Sequence, residues 1–114
     1  MSAILLVGRD ERFTHILSIF LAGQGHRLLT LDPWLARLKL LEDDQPDVTL
    51  FDLREEGDEQ LLIDVVMRYQ RPAVLLGHRH RLQAAGVLTS SVVAADPADI
   101  RGLLRVLNQL LSPP

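Results

Sequence analysis

The chain alternates short apolar runs with longer stretches whose apolar residues recur every three or four positions. Ala3-Ile4-Leu5-Leu6-Val7 is a continuous apolar run, the form of a parallel strand covered on both faces. From Glu11 to Ala22 the residues Phe13, Ile16, Leu17, Phe20 and Leu21 recur at helical spacing, and Gly23 and Gly25 stop that helix. His26 to Leu31 reads as a second strand. Asp32-Pro33 then supplies a cap oxygen and a proline at the first helical position, opening a helix to about Glu42. Acidic Asp43, Asp44 and Asp47 around Gln45-Pro46 interrupt the chain before a third run, Val48-Thr49-Leu50-Phe51. A charged loop from Arg54 to Glu59 leads into a helix bearing Leu61, Leu62, Val65, Val66 and Tyr69. Pro72 opens a fourth run, Ala73 to Leu76, closed by Gly77. A short helix near Arg81 to Ala85 leads through Gly86 to a fifth run around Val87 to Val93. Asp96-Pro97-Ala98-Asp99 repeats the cap-then-proline device and launches a last helix ending near Leu111.

Five strand–helix units with short joins predict an α/β fold, a five-stranded parallel sheet with helices on both faces. Sites in such sheets lie at the carboxyl ends of strands. The residues to question are therefore Gly8 to Glu11, Asp32, Asp52 to Glu56, Gly77 to Arg81, and Ala94 to Asp96.

Composition narrows this further. A length of 114 residues fits one domain, and 47% hydrophobic with 24% charged residues is ordinary globular composition. The absence of cysteine removes disulfides, thiolate metal sites and a cysteine nucleophile. Twelve basic residues against 15 acidic leave −3, which gives no bulk attraction for nucleic acid or an anionic membrane. With no export signal and no spanning segment, the expected setting is cytoplasmic. Eleven of the twelve basic residues are arginine; Lys39 is the only lysine.

Asp52 follows the third run directly, and it reads either as a site carboxylate at the functional edge or as a loop residue bonding local backbone. His78-Arg79-His80-Arg81 reads either as an anion-binding rim or as a solvated loop. Two histidines at i and i+2 with one nearby carboxylate do not compose a metal site. Ser90 and Ser91 have no placed histidine, and neither a dinucleotide fingerprint nor a Walker motif occurs, so no enzyme activity is expected.

Ile4-Leu5-Leu6-Val7, the stretch Pro46-Asp47-Val48-Thr49-Leu50-Phe51-Asp52-Leu53, and Asp96-Pro97-Ala98-Asp99-Ile100 together resemble a response-regulator receiver domain. The resemblance covers residues 1–111, leaving 112–114 as a tail or the start of a linker. It implies a flavodoxin-like fold with strand order 2-1-3-4-5. It also implies that Asp52 accepts a phosphoryl group from a histidine kinase with Mg²⁺ assisting. The rest of that constellation is missing. Gly8 and Arg9 stand where two acidic residues would hold the metal, and Asp10 and Glu11 come one and two places later, where they suit a helix start. Gly77 stands where a threonine or serine is expected, and neither residue type occurs between positions 50 and 88. No lysine follows the fifth run. The pattern is that of a degenerate receiver for which no Mg²⁺ cofactor is expected, because Asp52 beside the fixed charges of Arg9 and Arg54 is a poor cation site.

Two readings of Arg9 stand open: a pair with Asp52 in the metal's place, or a side chain directed to water. The rim of the site comprises Gly8, Arg9, Asp10, Arg54, Gly77 and His78. In the last helix, Ile100, Leu103, Leu104, Val106, Leu107, Leu110 and Leu111 span about 160° of the helical wheel. They read as a buried helix or as an edge of Leu103, Val106 and Leu110 that docks a second copy. The leading functional expectation is a signalling module acting through protein contacts, with a histidine kinase or its own output domain as partner. The alternatives are a phosphoacceptor with a rebuilt site and an anion- or small-molecule-binding domain.

Overall fold

The computed structural model describes residues 2–39, 46–54, 57, 59–69, 71–77, 82–83, 86–89 and 91–111, with residues 37–39 described in the backbone only. The elements run β1 (Ala3–Val7), α1 (Glu11–Gly23), β2 (Arg27–Leu31), α2 (Pro33–Lys39), β3 (Val48–Asp52), α3 (Glu59–Arg68), β4 (Ala73–Leu76), β5 (Val92–Ala95) and α4 (Ile100–Leu111). All five strands are parallel in the order β2-β1-β3-β4-β5, as expected.

The side-chain period of two sorts the sheet into two cores. Leu5, Val7, Phe51, Leu53, Ala73 and Leu75 pack with α3 residues Leu62, Val65 and Val66 on one face. Ile4, Leu6, Val48, Leu50, Val74 and Leu76 pack on the other with Phe13, Leu17 and Leu21 of α1 and Leu103, Leu104 and Leu107 of α4. Both faces being covered is why the strands read as unbroken apolar runs. Asp52 continues the Val48–Leu50 face, so its side chain is directed toward the start of α1.

Three local expectations need correction. The fifth strand is Val92–Ala95 and does not begin at Val87; residues 87–89 approach it as a turn in which Thr89 Oγ1 accepts from the Val92 amide at 3.1 Å. Asp96 does not cap α4. Its Oδ1 accepts from the Ala98 amide at 2.9 Å, shaping a turn, while Asp99 caps the helix by accepting from the Gly102 amide at 3.0 Å. Leu103 is 1% exposed and belongs to the core, so it cannot line a docking edge. The helix is placed with Leu103, Leu104 and Leu107 inward, which leaves Val106 and Leu110 half-buried on its flanks. The other cap predictions hold: Asp32 Oδ1 accepts from the Trp34 amide at the start of α2. Gly25, with φ of 80°, makes the left-handed reversal from α1 into β2. Leu82 and Gln83 are helical, whereas the other residues of the 81–85 segment, the end of the second helix beyond 39, Ser90 and the 112–114 tail lie outside the described residues.

Only Thr49 and Asp52 are buried polar residues among those described. Thr49 is satisfied by a 2.8 Å hydrogen bond between its hydroxyl and that of Tyr69, whose ring meets Phe51 edge-on at 5.6 Å. Burial pushes the Tyr69 phenol above its ordinary value, outweighing the lowering by Thr49 and Arg71. The neutral phenol is thus the form favoured by folding, a contribution complete below the unfolded value of 10.0 and lost as pH rises through the folded one. Tyr69 is the sole tyrosine, so tyrosinate absorbance reports it alone. That absorbance is expected to rise at higher pH in the folded protein than in the urea-unfolded chain, with denaturant stability falling over the same alkaline interval.

Candidate functional site

The site is built where β1 and β3 end side by side. Val7 pairs with Phe51, so the next step along each strand brings Gly8 beside Asp52. The approach is close: a Cβ on Gly8 would lie 2.9 Å from the Asp52 Cβ. The side of Asp52 facing β1 is therefore occupied by backbone.

Asp52 is 2% exposed, and Arg54 meets it along two separate bonds. Arg54 Nε donates to Oδ1 at 2.9 Å and Nη2 donates to Oδ2 at 2.7 Å, while the Arg54 amide adds a 3.1 Å bond to Oδ1. The Arg54 amide bonding back to a side chain two residues earlier closes a tight turn, which folds the arginine back onto this carboxylate. The same Nη2 donates to Asp10 Oδ2 at 3.1 Å. Beneath the guanidinium lies Phe13, with Arg54 Cζ 4.9 Å from the ring centroid. A single arginine is thus clamped by two carboxylates and an aromatic face. The hydrogen bonds and charge of Asp52 strengthen the hold of Arg54 on its proton against the opposing effect of burial, and Asp10 adds to them.

Asp10 has a second task. It is the N-cap of α1, its Oδ1 accepting from the Phe13 amide at 3.0 Å. The Phe13 amide, with Arg54 adding to it, holds the Asp10 carboxyl below its ordinary value. Capping fixes Asp10 and Phe13 in one turn, so the start of α1 presents an anion and a ring to Arg54 together.

Arg9 does not pair with Asp52. Its Nη1 is 2.9 Å from Asp32 Oδ2, and both side chains are about 40% exposed. Register explains this: Val7 also pairs with Leu31, so the residues after β1 run beside Asp32 on the β2 side. The two ion pairs differ in weight. An exposed pair such as Arg9–Asp32 contributes about 0–1 kcal/mol, whereas in Arg54–Asp52 the guanidinium is one-third exposed but the carboxylate is buried, so losing the arginine strands a buried charge. Arg9 and Asp32 help line an open groove of about 580 Å³ between α1 and β2, with Gly8, Thr14, His15 and Thr30.

Gly77 follows β4, and its amide donates to the Ala95 carbonyl at 3.3 Å. A Cβ there would make ordinary contacts of 3.8 Å with Leu53 and 3.9 Å with Leu82. The sequence simply lacks a hydroxyl at a place with room for one. Because β5 ends at Ala95, the residue ahead of Pro97 is Asp96, an anion where the resemblance implies a lysine. His78, with the rest of the His78–Arg81 run, lies outside the described residues. The structure thus joins Gly8, Asp10, Asp52 and Arg54, and turns the Arg9 side chain toward Asp32 at the end of β2. Phe13 carried only a helical core signal in the sequence, although its position three residues after Asp10 is that of an amide bonded to the cap.

No protein-family model matches the chain, and no curated protein matches it. Solved structures do. The Vibrio cholerae chemotaxis protein CheY4 is similar at 20% identity and a TM-score of 0.75, over 97% of this chain and 99% of that one. The chain has the receiver fold. The receiver domain of the hybrid histidine kinase CckA is similar at 20% identity and a TM-score of 0.70, over 96% and 99% of the two chains. A chain from the complex of histidine kinase ThkA with response regulator TrrA matches at 18% identity and 0.73, over 98% and 100%.

The receiver fold raises the question of Mg²⁺, and the residues present do not fit it. Among the described residues no three acidic or histidine side chains could hold a metal ion. Mg²⁺ uses carboxylate oxygens at close octahedral range, yet both oxygens of Asp52 accept from Arg54. Asp10 gives one oxygen to its helix and the other to the same guanidinium.

Gly8→Ala is expected to destabilise the protein by about 1–3 kcal/mol through overpacking against Asp52, measured by chemical denaturation. The Asp10 carboxyl is expected to titrate below 3.8 by NMR and to move upward in Arg54→Ala, where the lowering by the guanidinium is lost. Since folding lowers its pKa, Asp10 stabilises fully above the unfolded value, and that contribution is lost as pH falls through the folded one.

Proposed function

We propose that this chain is a receiver-type signalling module of the two-component class that acts through protein contacts without Mg²⁺-dependent phosphorylation of Asp52. The observation that carries the proposal is the pairing of Arg54 with both oxygens of Asp52. Aspartyl phosphorylation needs a carboxylate oxygen free to attack and a cation to gather the phosphoryl oxygens. Here the attacking group is engaged, and its cation is a side chain that donates fixed hydrogen bonds and has no coordination sites to share.

Surface chemistry supports the protein-contact part. Ile16, Ile19 and Phe20 are exposed at i, i+3 and i+4 of α1, an apolar strip on the outer face of the helix. Asp10, Arg54 and Phe13 lie at the start of that same helix, so the clamp fixes the end from which the strip extends. A histidine kinase is the partner class in this reading, by analogy with the ThkA–TrrA complex.

Incubation with Mg²⁺ and an acyl phosphate, followed by intact-mass measurement, tests the reading. No phosphoryl adduct is expected on the wild-type chain. An adduct that disappears in Asp52→Asn would overturn the proposal in favour of a phosphoacceptor with a rebuilt site.

A further inference from the structure

Arg54 Nη2 bridges two carboxylate oxygens, 2.7 Å from Asp52 Oδ2 and 3.1 Å from Asp10 Oδ2. A nitrogen between two anionic oxygens at those distances marks a position where positive charge is stabilised whatever supplies it. Mg²⁺ sites are commonly completed by one or two carboxylates with water filling the remaining positions. What separates this arrangement from such a site is the guanidinium itself.

We infer that Arg54 is a built-in counterion whose side chain takes the place a divalent cation would occupy between Asp10 and Asp52, and whose removal turns the pair into a cation site. The inference rests on the reading that the wild-type chain works without Mg²⁺ and deepens it by naming the residue responsible. Three features equip Arg54 for this task. It follows Asp52 by two residues, and its own amide donates to Asp52 Oδ1 at 3.1 Å, so the turn delivers the side chain to the carboxylate by a short path. Phe13 supports the guanidinium from below, at 4.9 Å from centroid to Cζ. The Asp10 oxygen that caps α1 is Oδ1, which leaves Oδ2 facing the bridge with or without Arg54. Asp10 would therefore keep its position when the arginine is gone.

The two carboxylates would then face each other with a buried charge uncompensated, the condition under which a small hydrated dication is recruited. Lysine at position 54 would restore charge but not the paired donation of a planar fork. Arg54→Lys is thus expected to bind cations more weakly than Arg54→Ala and more tightly than the wild type.

Mn²⁺ titration monitored by NMR provides the test, with no phosphodonor present. In the wild type the amide signals of Gly8, Asp10 and Leu53 are expected to show no selective, saturable broadening at millimolar Mn²⁺. In Arg54→Ala and Arg54→Gln the same signals are expected to be lost selectively, to return when Mg²⁺ is added in excess, and to persist when Asp52→Asn is combined with either change. If a variant unfolds, recovery of its folded spectrum on adding Mg²⁺ supports the proposal. Saturable broadening in the wild type overturns it. So do variants that fold and bind nothing, and variants that stay unfolded with Mg²⁺. The two proposals fail separately: a phosphoryl adduct on a wild type that binds no Mn²⁺ sinks the functional reading and leaves the counterion assignment standing.

Discussion

A carboxylate almost fully removed from water at the end of a central strand needs a cation, and Arg54 supplies it from two residues away. Neighbouring features of the site follow from this pair. The guanidinium requires further support at its outer edge, and Asp10 and Phe13 give it from the first turn of α1. In turn, α1 is held against the edge of the sheet by an electrostatic contact as well as by Leu17 and Leu21 in the core. The ion pair thereby links a helix to β3 across the mouth of the fold, where apolar packing alone ends.

That linkage depends on the parity of the strands. Asp52 shares a face with Val48 and Leu50, which is the face covered by α1 and α4. One residue of slip would direct it toward α3, into the core where Thr49 already needs Tyr69 as its partner. Among the described residues, each face of the sheet thus buries one polar side chain, and each is bonded within the chain. Groups so satisfied hold loops in a single arrangement, since leaving either open costs about 1–3 kcal/mol or more.

Much of this was legible in the sequence. Apolar runs and cap residues located four of the five strands and the start of α1, and they placed Asp52 at the functional edge. The fifth strand was set too early because Val87 and Leu88 extend its apolar run, although Thr89 turns the chain ahead of Val92. Whether Leu103 is buried or lines an edge is open in the sequence, because a wide apolar arc on a helix does not say which side faces the sheet; where the helix docks decides it, with Leu103 inward. The sequence leaves two readings of Arg9 open, a pair with Asp52 or a side chain directed to water, and its bond to Asp32 is neither. Arg9 turns toward β2 because the residues after β1 run beside Asp32, and Arg54 reaches Asp52 through the turn that its own amide closes. The clamp under Arg54 was not legible, since Phe13 has the same helical spacing as its core neighbours.

Gly8 adds a steric constraint to the Asp52–Arg54 pair. The ends of β1 and β3 have closed up so far that a Cβ at position 8 would lie 2.9 Å from the Cβ of Asp52. An acidic side chain introduced there would meet a filled space before it met any cation. Position 8 could take one only after Asp52 and Arg54 had shifted, and those two hold each other in place. Steric contact has therefore made the order of mutational steps matter. An acidic residue at position 8 is accommodated only in a chain whose Asp52 has first been released from Arg54, so a set of substitutions at this site has an order that begins with the arginine.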